Sequence, residues 1–131
     1  MTRLDLCGVA GMAELLGKGV YTAMPEDVPD GLRGQHAVVV GEPVISAAAA
    51  LRLDACGCRV TLVTCEATGG AGMPPALCRA LRCRPNIRLM HRTELAWAVG
   101  INHLEAVVLR RVTTGRIEAL NAAALFVLSP V

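Results

Sequence analysis

The run His36-Ala-Val-Val-Val-Gly41, followed at once by Glu42-Pro43 and an alanine-rich stretch, most narrows what this chain can fold into. A strand covered on one face alternates apolar and polar residues. An unbroken β-branched run reads instead as a strand buried on both faces, as in a parallel sheet. Gly41 closes the run. Pro43 suits the first position of a helix, where its missing N–H would have had no intrahelical partner. The alanine-rich residues carry that helix to about Ala55, Gly57 ends it, and Arg59-Val-Thr-Leu-Val-Thr64 is a second strand. Together these make a βαβ unit with a right-handed crossover by default.

Downstream, a glycine-rich loop (Thr68 to Gly72) leads to a second helix from Pro74 to about Arg82, and Ile87–His91 reads as a third parallel strand. The pattern then changes. Thr93–Val99, Leu104–Arg111 and Arg116–Ala119 are short and β-rich, with turn signals at Gly100–Asn102 and Thr114-Gly115, which predicts an antiparallel three-stranded meander. Ala122–Leu128 is a last buried strand returning to the parallel sheet. Residues 1–35 read as a loop-rich leading segment, with one helical turn at Met12–Leu16 and frequent proline and glycine after it. The expected fold is α/β, a three-layer domain with a central parallel sheet plus the meander. At 131 residues the chain is expected to be one domain, 1–131.

A formal charge of +2, with no run of Lys or Arg, argues against a nucleic-acid or anionic-membrane partner. Mean hydropathy is high at +0.48, but no apolar run approaches the roughly 18–20 residues of a membrane span. The N-terminus does not resemble a secretory signal, so a cytoplasmic location is expected. The excess apolar character implies a surface that a partner covers. Six cysteines (Cys7, Cys56, Cys58, Cys65, Cys78 and Cys83) include no Cys-x-x-Cys, and His36, His91 and His103 lie far from them in sequence. They read as reduced, buried apolar residues and not as a metal site, so no metal is expected. Cys56-Gly-Cys58 is the tightest pair, and Cys65 has no adjacent base or cation to activate it.

Several short words, in order along the chain, resemble the pyridine-nucleotide domain of thioredoxin-reductase-like flavoproteins. They are Gly17-Lys-Gly-Val-Tyr21, Arg33-Gly34 with Val38-Val-Val-Gly41, Pro85-Asn-Ile-Arg-Leu89, Thr93-Glu94, Leu104-Glu-Ala-Val107, Thr114-Gly115 and Ala124-Leu-Phe-Val127. The resemblance spans about Leu4 to Leu128 and is closest to a branch lacking the redox Cys-x-x-Cys in this domain. It implies a Rossmann-type fold, a pyridine dinucleotide as cofactor, and an FAD held by a separate domain for which this sequence has no counterpart.

In such folds the first strand-to-helix loop carries G-x-G-x-x-G/A: one glycine for the turn, one for close approach of the pyrophosphate, one for helix–strand packing. Here the loop is Gly41-Glu42-Pro43-Val44-Ile45-Ser46. Gly41 keeps the first role and Ser46 is small enough for the third, but Pro43 stands at the second. Glu42 sets a carboxylate where the helix N-terminus would attract an anion. At the end of the second strand, Thr64 occupies the place of the ribose-binding acid of NAD-type sites, with Glu66 two residues beyond. The basic residues of NADP-preferring sites are missing from this stretch. The candidate cofactor-binding residues are therefore Gly41, Glu42, Pro43, Ser46, Thr64 and Glu66, with no catalytic set.

Two readings stay open on these residues. One is an isolated pyridine-nucleotide domain that holds NAD(H) weakly and presents it to a flavin on another domain or subunit, with no complete catalytic site of its own. The other is a non-catalytic remnant acting as a scaffold, oligomerisation or interaction module, which associates through an apolar face. Backbone N–H groups pointing into an open cleft, with Glu42 turned away, would favour the first. Glu42 folded over the helix end, with Ile45 or Met73 filling the cleft, would favour the second.

Overall fold

The computed structural model describes residues 15–23, 30–64 and 74–128. Among the described residues, eight strands and two helices follow in chain order: β1 (Val20–Tyr21), β2 (His36–Gly41), α1 (Pro43–Ala55), β3 (Arg59–Val63), α2 (Pro75–Arg82), β4 (Ile87–Met90), β5 (Thr93–Gly100), β6 (Leu104–Arg111), β7 (Ile117–Asn121) and β8 (Ala124–Leu128). A 3-10 turn lies at Asp30–Leu32. Strands β1-β8-β2-β3-β4 form one sheet, parallel throughout, and β5-β6-β7 form a separate antiparallel sheet. The expected α/β architecture of parallel sheet plus meander is what the chain adopts.

The unbroken apolar run of β2 has a direct cause. Ala37 and Val39 pack on the helix side of the sheet with Ala47, Ala50, Leu53 and Leu81, while Val38 and Val40 pack on the meander side with Leu95, Val107 and Leu109. β8 divides in the same way: Phe126 faces the helices, and Leu125 and Val127 face the meander. Strands covered on both faces leave no position for a polar side chain, so period-two alternation disappears. Helix α1 is capped by Glu42 and begins at Pro43 as expected, and Gly57 follows its C-terminus.

Several boundaries differ from the sequence expectation. β1 lies in the segment expected to be loop: Val20 is fully buried and pairs with Leu125, and the Tyr21 ring stacks on Phe126 with centroids 5.2 Å apart. Two residues are too few for a pattern in sequence, and the partner strand more than a hundred residues later supplies the order. β8 starts at Ala124 and not at Ala122, because Ala122 and Ala123 carry the chain from meander to sheet. Their N–H groups donate to the carbonyls of Glu105 and His36. Of the helical turn expected at Met12–Leu16, only Leu15 and Leu16 are among the described residues, and the glycine-rich loop lies outside them.

A side-chain clip ties the two sheets together. His36 Nδ1 lies 2.7 Å from the carbonyl oxygen of Asn121, and Nε2 lies 2.7 Å from Thr61 Oγ1. A carbonyl only accepts, so Nδ1 carries the proton and donates to the end of β7.

The β2–β8 ladder runs to its last step, Gly41 against Leu128. Gly41 has φ +148°, and a Cβ there would overlap the Leu128 carbonyl oxygen. Gly41→Ala is therefore expected to destabilise the fold by about 2–4 kcal/mol, from strain and overlap together, read as a lowered urea midpoint.

Candidate functional site

In an open parallel sheet, ligands bind outside the carboxyl ends of the strands, where chain connections run to opposite sides. Here that point lies between β2, which leads through α1 to β3, and β8, which arrives from the meander. Gly41, Glu42, Pro43 and Ser46 all lie at this turn, where the sequence put them.

Every amide at the turn is engaged within the chain. Glu42 N–H donates to Leu128 O at 2.8 Å. Pro43, the first helical residue, has none to offer. Val44 N–H donates to Glu42 Oε1 at 3.0 Å, and Ile45 N–H to Glu42 Oε2 at 2.8 Å. Ser46 N–H closes the first helical turn on Glu42 O at 2.8 Å. Glu42, with φ −62° and ψ 133°, is the N-cap, and both its carboxylate oxygens receive a helix amide. A negative side chain at this end also gains from the helix dipole.

These are the donors that a dinucleotide pyrophosphate would use. A pyridine dinucleotide does not fit the turn as it stands: the amides are filled by a carboxylate that also repels phosphate. Gly41 is accounted for by the approach of Leu128 and needs no ligand to explain it. Ser46 is fully buried, and among the described residues its Oγ has no hydrogen-bond partner. It keeps the helix close to the sheet, and it does not face a bound molecule from the surface.

Thr64 is likewise turned inward. It is buried, its N–H donates to Met90 O at 2.9 Å, and its carbonyl accepts Thr93 N–H at 3.0 Å. Thr64 Oγ1 lies 3.2 Å from His91 Nδ1. His91 is not among the site residues expected from the sequence. The signal for it was the register of two neighbouring parallel strands: Val63 opposite Met90 brings Thr64 beside His91 one step on. Burial holds His91 below its ordinary imidazole pKa, with the positive charges of Arg82 and Arg92 adding to the effect. Glu66, Cys65 and Met73 lie outside the described residues.

Among the described residues no group of three or more His, Cys, Asp or Glu could hold a metal ion, and no helix is long and apolar enough to cross a membrane. Cys56, Cys58, Cys78 and Cys83 are free thiols. Burial raises the Cys58 thiol pKa, with Cys56 and Asp54 adding to it, which makes that sulfur a weaker nucleophile.

No protein-family model matches this sequence, and no curated protein matches it. Solved structures do. The chain superimposes on a thioredoxin reductase from Giardia duodenalis with a TM-score of 0.82 and 21% identity, over 98% of this chain and 40% of that one. A thioredoxin reductase from T. acidophilum gives 0.79 and 21%, over 98% and 41%. A bacillithiol disulfide reductase from Staphylococcus aureus gives 0.75 and 19%, over 96% and 36%. The chain has the fold of a part of these reductases. It spans about 40% of the length of the first two.

Two outcomes follow from the geometry. Glu42→Ala should lower stability by about 0.5–2 kcal/mol through loss of the cap, measured by urea unfolding. His91 should titrate below the roughly 6.5 of a free histidine, followed by its ring resonances in NMR. The unfolded chain then takes up this proton first as pH falls. The contribution of His91 to stability is complete above about pH 6.5 and declines below it, a decline that His91→Gln should reduce.

Proposed function

We propose that this chain is a single pyridine-nucleotide-type domain, 1–131, whose phosphate-binding turn is closed by its own carboxylate, and that it acts as a non-catalytic scaffold or interaction module. The observation that carries this reading is the pair of hydrogen bonds from Val44 and Ile45 N–H to Glu42. The reading of a weak NAD(H) domain rests on the same turn and needs those amides free.

The partner in this reading is an apolar surface, either the remainder of a thioredoxin-reductase-like flavoprotein that carries FAD or a second copy of the chain. Support comes from the first turn of α1, where Val44 and Ile45 are 41% and 45% exposed, and from Trp97 and Val99 outward on β5. Neighbouring exposed apolar side chains of this kind suit a surface that another chain covers.

Calorimetric titration with NADH and NADPH tests the reading. The wild-type chain is expected to show no saturable heat with either nucleotide up to about millimolar concentration, the range of a Kd worth only about 4 kcal/mol. Saturable NADH binding by the wild type, tightened in Glu42→Ala, would return the turn to the weak-binding reading.

A further inference from the structure

A second concave site lies at the other end of the parallel sheet, where β2 and β3 begin and the β5–β6 turn folds over them. It is a pocket of about 370 Å³ whose wall includes Gln35, Arg59, His103, Leu104, Glu105 and Asn121. That volume lies in the roughly 300–1,000 Å³ range of small-molecule sites.

Its two charges, Arg59 and Glu105, are opposite in sign and exposed. Neither joins the ion pairs Arg84–Asp54, Arg88–Glu118 and Arg110–Glu94. Glu105 Oε2 accepts Ile101 N–H over a long 3.3 Å, which leaves Oε1 open. His36 also lines the pocket, but Asn121 and Thr61 occupy both its nitrogens, so it serves as wall. The floor is apolar, from Leu104 and Ala122.

The backbone that presents these groups is fixed. A side chain at Gly100 would overlap the His103 carbonyl oxygen, so the turn between β5 and β6 closes tightly. Leu104 N–H donates to Lys18 O at 2.8 Å, and Ala122 N–H to Glu105 O at 3.1 Å. Arg59 sits at the first paired position of β3, opposite His36.

We propose that this pocket binds a small zwitterion of the α-amino-acid class, with its carboxylate on Arg59, its ammonium on Glu105 and an apolar side chain against Leu104 and Ala122. The guanidinium fork matches a carboxylate in two parallel hydrogen bonds. A ligand with a carboxylate alone meets the repulsion of Glu105, and one with an ammonium alone meets that of Arg59. A zwitterion satisfies both. This site stands apart from the Glu42 turn, and its success or failure leaves the reading of that turn untouched.

The test is a set of ¹H–¹⁵N NMR titrations of the full chain with L-leucine, 4-methylpentanoate (carboxylate only) and 3-methylbutylamine (ammonium only). L-Leucine is expected to shift the amides of Arg59, His103, Glu105 and Asn121 saturably, with both analogues at least about tenfold weaker, the loss that goes with one charged hydrogen-bond partner. Arg59→Gln and Glu105→Gln should each weaken L-leucine to a similar degree while the rest of the spectrum stays unchanged. Absence of saturable shifts, shifts centred elsewhere, or equal binding of 4-methylpentanoate and L-leucine would overturn the proposal.

Discussion

The pairing of β2 with β8, covered by helices on one face and by the meander on the other, is the constraint from which the rest of the molecule follows. A backbone buried on both sides cannot reach water, so each of its N–H and C=O groups must be satisfied in the ladder. That requirement fixes the register from Ala37 against Ala124 to Gly41 against Leu128. It also selects small β-branched and alanine side chains at positions where two layers press on one strand. Phe126 is the one large ring admitted, and Tyr21 from the short edge strand β1 stacks on it.

The same ladder shapes the functional end of the sheet. Because pairing continues to Leu128, position 41 must be glycine, and the next residue is brought to the start of α1 with its carboxylate over the free amides. A helix N-terminus attracts one negative group, and here the chain provides it. An intramolecular carboxylate is always present at the turn, whereas a nucleotide would have to displace two hydrogen bonds and tolerate the repulsion of the displaced charge. The chemistry that draws phosphate to other domains of this shape is spent on the protein's own cap.

Much of this was legible in the residues. The bounds of β2 and α1 came directly from the apolar run, the proline and the following glycine, because those signals are local. The meander came from turn residues at regular spacing. Glu42 and Pro43 were visible as departures from the glycine-rich phosphate-loop pattern. β1 was hidden, as were the union of Thr64 with His91 and the cavity lined by both Arg59 and Glu105. Each depends on residues far apart in sequence that carry no periodic mark.

The sequence by itself determined the order of elements and the double burial of the central strands, since periodicity and turn chemistry act over a few residues. It also showed that the first strand-to-helix loop departs from the glycine-rich phosphate-loop pattern. Tertiary structure decided where the amides of that loop are spent. Only the folded backbone aims both Glu42 oxygens at Val44 and Ile45, and only sheet register brings Thr64 to His91. A carboxylate near a helix can cap it or point away, and that choice depends on φ, ψ and the position of Leu128, which no local pattern encodes.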